Sequence, residues 1–270
     1  MILRITNSGH LFVRPGDEPD AIINYIMQTG YEEEFVVSDS FEADFVAGLM
    51  SAGFLVMSVR LDEEGESEES EEGAADVRGD GDVKEFESEK GAAKIFALLP
   101  KHHNSRTVLF FDKLHIARSV KRLLPRYQLR AGADYEKIVQ KCVAMHGDEW
   151  LTPPLLHCLD AIRTRKDERV RPYSFGLYKN GMLVAGEFGV LCGKVYTSYS
   201  GYYEENSCGR VQMILTAEHL RDNGFAFWDL GMPLDYKYTL GACDINMQEF
   251  IARFRAARCI GRYHTLPLVR

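Results

Sequence analysis

The sequence predicts a mixed α+β or α/β fold built on a mixed central sheet, and three observations carry that expectation. Lys179-Asn180-Gly181 is a hairpin signal between two β-rich runs, Tyr173 to Tyr178 and Met182 to Val190, because Asn and Gly tolerate positive φ. Cys192-Gly193 turns the chain into a third run, Lys194 to Ser200, and a helical pattern from Gly209 to Asp222 follows, stopped by Asn223-Gly224. The chain then returns at once to an apolar run, Phe225 to Asp229. A helix joining two strands over this length implies a crossover and a parallel pair, which places Asp229 at the carboxyl end of a strand, where open sheets keep their ligands.

The remaining elements follow from local signals. Asp17 is expected to cap a helix running to Gly30, Phe35 to Ser38 is a short strand, and Asp39 with Glu42 has the spacing of a capping box for a helix ending at Gly53. Phe54 to Val59, Lys94 to Leu99 and Thr107 to Phe111 are strand candidates, the last two separated by a basic surface loop, Pro100 to Arg106. Leu114 to Arg122 reads as a short helix, Asp134 as the cap of a helix through Met145, and Thr152-Pro153 as the start of another through Ile162. Asn246 and Glu249 form a capping box for a helix to about Ala257, and Gly261 to Leu268 is a closing strand.

A hydrophobic content of 46% in 270 residues is ample for a core. The net charge of −8 is unevenly spread: Asp62 to Lys90 holds 14 acids and 3 bases, which leaves the rest of the chain at +3. That acidic run has few apolar side chains to bury and reads as a solvated, disordered insertion. The six cysteines show no metal-ligand spacing and no signal-peptide pattern opens the chain, so the expectation is reduced thiols in a cytoplasmic protein. No apolar run nears the roughly 18 residues needed to cross a bilayer, and His102, His103, Cys142 and His146 are too sparse for a metal site.

Signatures of common nucleophiles and nucleotide loops are missing, including GxSxG, Walker A, HExxH and GxGxxG. What stands out is one acid, Asp229, beside an aromatic-rich sequence that includes Tyr196, Tyr199, Tyr202, Trp228 and Tyr236. Arg118, Lys121 and Arg122 form a basic cluster; a solvated face and a phosphate-contacting patch both fit them. Trp150 sits in a loop, as core packing or as a stacking wall.

Several short stretches, in the right order, resemble the leucyl/phenylalanyl-tRNA–protein transferase family over roughly residues 41–258. Leu114 to Arg122 is similar to that family's LHISRSxKR element, Trp150-Leu151-Thr152 to its TWI turn, and Leu183 to Val190 to its LVGGLYGV hairpin. Trp228-Asp229 falls on its IDCQ strand end and Leu240-Gly241-Ala242 on its SLGA segment. The resemblance implies a GNAT-like acyltransferase domain behind a small α/β N-terminal domain, with boundaries at 1–60, 61–91 for the acidic insertion, and 92–270. It also implies transfer of an amino acid from aminoacyl-tRNA to the N-terminal amine of an acceptor protein, as in tagging for proteolysis, with no cofactor and no metal. The tRNA ester is already activated, so the protein need only hold the side chain, position the amine and manage a proton.

In this resemblance Asp229 is the catalytic anchor of the acceptor amine, Trp150, Glu187, Tyr199, Ser200 and Gly231 bind substrate, and Arg118, Lys121 and Arg122 contact tRNA phosphates. The family's acid in GESMFS falls on Tyr199, its glutamine after the aspartate on Gly231, and an apolar position on Glu187. Its FPW element is Phe54-Leu55-Val56 here. A buried acid at 187 should titrate abnormally or bind a cation. Two other readings remain open: a different GNAT-type N-acyltransferase, CoA-dependent or FemX-like, and an inactive RNA- or peptide-binding relative.

Overall fold

The computed structural model describes residues 4–61, 95–165 and 169–259. The acidic insertion and the closing strand expected at 261–268 lie outside the described residues. The chain divides into two compact units, Met1–His102 with Asp148–Ala161, and His103–Gly147 with Ile162–Arg270.

The first unit contains β1 (Arg4–Ile5), β2 (Leu11–Phe12), α1 (Pro19–Thr29), α2 (Ala43–Ser51), β3 (Leu55–Leu61) and β4 (Ile95–Lys101). Proline at the first position starts α1 without losing a needed N–H, and Gly30 ends it at φ 64° with its N–H on the Ile26 carbonyl. β3 and β4 pair antiparallel from Leu55 opposite Lys101 to Leu61 opposite Ile95. This pairing holds β4 in the first unit, which therefore runs past residue 60 to His102. Ile22, Ile23, Val36, Val46, Leu49, Val56 and Leu98 are among its buried apolar side chains.

Two cap expectations and one strand expectation are corrected here. Glu18, not Asp17, precedes α1, because the Asp17 carboxylate instead accepts the Arg14 N–H at 2.9 Å and pairs with Arg4 at 2.8 Å. Glu42 precedes α2 without a side-chain cap, and Asp39 faces Arg14 at 3.7 Å. Phe35 to Ser38 makes only isolated bridges, to Phe12, Leu98 and Lys101.

The second unit is organised on a seven-stranded mixed sheet. Its strands are β5 (Ser105–Leu109), β6 (Gln128–Ala131), β7 (Arg171–Lys179), β8 (Met182–Cys192), β9 (Val195–Tyr203), β10 (Phe227–Gly231) and β11 (Cys243–Asn246), in spatial order β11-β5-β10-β9-β8-β7-β6. β9 and β10 are the parallel pair and the other neighbours run antiparallel, as the crossover requires. The helices are α3 (Arg118–Lys121), α4 (Tyr135–His146), α5 (Pro153–Arg165), which runs through the boundary between the units, α6 (Cys208–Asp222), α7 (Asp235–Tyr238) and α8 (Met247–Arg258). Helix α4 packs on β7, β8 and β9, α6 on β7 to β10, and α8 on β5, β9 and β11.

Val211 and Ile214 of α6 meet Leu177 and Val184, while Ala217 and Leu220 meet Tyr196, Trp228 and Leu230. Gly186 opposite Gly176 leaves room for Ile138 of α4; a Cβ at 186 would stand 3.0 Å from its Cγ1. Asn246 caps α8 as expected, accepting the Glu249 N–H at 2.9 Å. Two expectations change. The helix predicted over 114–122 shortens to Arg118–Lys121, and Asp134, at φ 53°, gives its carboxylate to the Tyr178 hydroxyl rather than to a cap. The predicted loop Pro100 to Arg106 contracts to the three residues between β4 and β5, which belong to different sheets. Among the described residues no helix is long and apolar enough to cross a membrane.

Candidate functional site

The site builds outward from β10, the interior strand that the crossover sets beside β9. Asp229 lies on β10 opposite Thr197 of β9 and Val108 of β5. Its Oδ1 accepts from Arg106 Nε at 2.9 Å and from the Gly231 N–H at 3.0 Å; its Oδ2 accepts from Arg106 Nη2 at 3.0 Å and Thr197 Oγ1 at 2.9 Å. Asp229 is 0% exposed and Arg106 1%. A fork of two parallel N–H donors is the strongest arrangement a carboxylate meets, and burial strengthens it further.

The expectation of a carboxylate open at the strand's end is therefore corrected. Among the described residues Asp229 accepts from these four donors, and its influence passes through Arg106, Thr197 and Gly231. Arg106, expected on a surface loop, is instead on β5 with its guanidinium 4.6 Å above the Phe250 ring of α8. Gly231, at φ 75° where the β10 register shifts, turns its N–H back onto that same acid.

The second acid behaves oppositely. Glu187 of β8 is 5% exposed, and its Oε2 accepts from Ser198 Oγ at 3.0 Å, while Ser198 Oγ accepts from Trp228 Nε1 at 2.8 Å. Burial pushes its carboxyl up to about 8, only partly offset by Ser198, by Gln212 of α6 and by the charge of Lys237. At neutral pH it is mostly the neutral acid. Lys237 of α7 is buried too, donating to the Leu230 carbonyl at 2.6 Å and the Met232 carbonyl at 2.7 Å, and burial lowers its ammonium to about 8. It ties α7 to the end of β10 and the turn that follows.

The other predicted residues divide. Tyr199 stacks on Phe188 at 6.1 Å, and the Ser200 hydroxyl faces the Cys142 thiol, which burial pushes up to about 12. Glu187, Tyr199, Ser200, Asp229 and Gly231 thus all lie on β8, β9 and β10. Trp150 belongs to the first unit, where its carbonyl accepts from the Ser58 N–H at 3.0 Å. Arg118, Lys121 and Arg122 are exposed on and just after α3, and Arg126 follows them, also exposed.

Sequence reasoning missed Arg106, Thr197, Ser198 and Lys237. Arg106 opens an apolar run, the one trace it leaves in the sequence; nothing local distinguishes it from a solvated arginine. Among the described residues no group of three or more His, Cys, Asp or Glu could hold a metal ion. Among the described residues no disulfide joins any of the six cysteines.

Comparison with known proteins gives a consistent result. The family described as leucyl/phenylalanyl-tRNA protein transferase matches residues 108–255, from β5 to α8. Curated relatives of the same description come from Pseudomonas aeruginosa and Pseudomonas putida, each 29% identical over 150 residues, covering 54% of this chain and 65% of the relative. One from Pseudomonas fluorescens is 28% identical over a stretch of the same length and coverage. The matched stretch thus spans somewhat less than two thirds of those relatives' length.

Proposed function

Since the chain belongs to the leucyl/phenylalanyl-tRNA protein transferase family, we propose that it moves an amino acid from a charged tRNA to the N-terminal amine of an acceptor protein, marking that protein for breakdown. The observation that carries this reading is the family match over residues 108–255, which takes in six of the seven strands of the large sheet in full, the last two residues of β5, and the basic turn at α3. The mixed sheet, with α6 crossing between its one parallel pair, fits a GNAT-like acyltransferase.

The chemistry is amide formation from an activated ester. The acceptor nitrogen attacks the ester carbonyl carbon, the bond to the ribose oxygen breaks, and that oxygen takes the proton the amine gives up. The chain's part is to align the two reactants and hold polar groups where charge develops. Arg118, Lys121 and Arg122 are the groups we assign to tRNA phosphates, being exposed, clustered and in no ion pair among the described residues. Each such contact adds affinity that weakens as salt rises.

Asp229 serves this reaction as a positioning residue: with Arg106 it locks β5, β9 and β10 together and orients the Gly231 N–H. Glu187, Tyr199 and Ser200 are assigned to the substrate side, on the neighbouring strands. Incubating the protein with a mixture of charged tRNAs and peptides of varied N-terminal residue, then reading peptide masses, tests the proposal. Addition of one amino-acid residue is expected; stabilisation by acetyl-CoA, with no mass gained from charged tRNA, would replace it with a CoA-dependent acyltransferase.

A further inference from the structure

The β8–β9 pairing has one irregularity: Phe188 is opposite Ser200, but the next residue, Gly189, is opposite Ser198. Such bulges re-aim side chains next to functional sites. A Cβ on Gly189 would stand 2.1 Å from the Thr197 carbonyl oxygen and 3.0 Å from the Tyr196 ring, so only glycine lets the strands close and the tyrosine pass. Glu187 lies one residue before this point, and Tyr196, opposite Leu191, lies two residues past Ser198 on the other strand.

Both residues carry a bare polar atom. Glu187 Oε1 and Tyr196 Oη are buried with no hydrogen-bond partner among the described residues, in side chains 5% and 0% exposed. The two groups also feel each other: Tyr196 is held in its neutral form mainly by burial and next by the Glu187 charge. Buried polar atoms are satisfied in the great majority of cases, and leaving one bare is costly. Two orphans on either side of one bulge mark a place that a ligand's own polar group completes.

We propose that Glu187, together with Tyr196, selects the transferred amino acid, favouring a side chain that ends in a hydrogen-bonding group over a pure hydrocarbon one. The inference rests on the transferase reading above. A leucyl or phenylalanyl side chain placed here would leave both orphans buried and dry. An amide, hydroxyl or ammonium would satisfy Oε1, and a discrimination of at least tenfold follows from one bare buried acceptor.

Charge does not forbid an ammonium. Besides Tyr196 and Ser198 of β9, the groups facing the acid are Gln212 of α6, Cys142 of α4, and Tyr236 and Lys237 of α7. Of these only Lys237 is cationic, and its Nζ is committed to two backbone carbonyls. Ionising a carboxyl that titrates near 8 costs about tenfold at pH 7, which a charge-assisted hydrogen bond offsets.

The test uses the full chain and four non-hydrolysable 3′-aminoacylamino adenosine analogues, carrying glutaminyl, lysyl, leucyl and phenylalanyl groups, with affinities read by calorimetry. The glutaminyl or lysyl analogue is expected to bind at least tenfold tighter than the two hydrocarbon ones, and Glu187→Leu to reverse that order. Glu187→Gln, which keeps an acceptor for Ser198, guards against a misfolded leucine variant and is expected to retain glutaminyl preference over leucyl. A hydrocarbon preference in the unmodified protein overturns the inference and leaves the transferase reading standing. Binding of none of the four rejects both.

Discussion

Glu187 makes a quantitative demand on stability. Its carboxyl titrates at 4.5 in an unfolded chain and at about 8 when buried on β8, so between those values the folded state holds a proton that the unfolded state has released. The sign follows directly. The contribution is fully present below 4.5 and is lost as pH rises through about 8, at about 1.4 kcal/mol per pH unit within the window. From pH 4.5 to 7 that amounts to roughly 3 kcal/mol, a large share of a typical net stability of about 5–15 kcal/mol.

The assay is urea unfolding of the protein and of Glu187→Gln at pH 5, 6, 7, 8 and 9. Titrating groups that do not interact with Glu187, such as His219, whose pKa burial lowers, act on both proteins and cancel in the difference. The stability of the glutamine variant relative to the parent should climb steadily between pH 5 and 8 and then level off. A difference that stays flat across that range would refute the reasoning, because it would mean that the carboxyl is solvated or paired when folded.

Asp229→Asn leaves the Arg106 guanidinium buried against a neutral group and should cost about 3–5 kcal/mol in urea unfolding, whereas pairing Arg106→Met with Asp229→Leu should recover most of that loss. A single variant within about 1 kcal/mol of the parent would show that the ion pair is not what locks the strands. Gly189→Ala, with its Cβ driven against the Thr197 carbonyl, should lower stability by about 3 kcal/mol and reduce transfer with it. Replacing Arg118, Lys121 and Arg122 by alanine, singly and together, should flatten the dependence of log affinity for tRNA on log salt by about one unit of slope per residue, measured by filter binding. An unchanged slope would return these side chains to the role of a solvated face.

What could be read from the sequence was what is encoded locally. The Asn180-Gly181 hairpin, the strand-helix-strand path into the parallel β9–β10 pair and the Asn246 cap each depend on residues within a few positions of one another, and each formed. The acids at 17, 39 and 134 carry the same local signal as Asn246, yet each serves a different partner: Arg4 and Arg14, Arg14, and Tyr178. A helix cap contributes about 1 kcal/mol, and a charged or buried partner brought close by the fold competes on equal terms. β4 and β5 follow one another in the chain, but strand partners are set by burial of their faces, and they entered different sheets.

The site shows the same limit more sharply, in two carboxylates two strands apart. Sequence reasoning singled out Asp229 for chemistry because of its position at a strand's end, and could not see Arg106, 123 residues away, closing on it. With four donors that acid has no valence left to offer a substrate; Glu187, whose Oε2 is held by Ser198 while its Oε1 is bare, has. Their substitutions should therefore leave opposite traces. Asp229→Asn should damage folding and lose transfer only in proportion to the unfolded fraction. Glu187→Gln should keep or gain stability at neutral pH and retain the glutaminyl preference, whereas Glu187→Leu should change which amino acid is carried. An asparagine variant that stays folded and loses transfer outright would reverse this assignment and make Asp229 the acid that the chemistry uses.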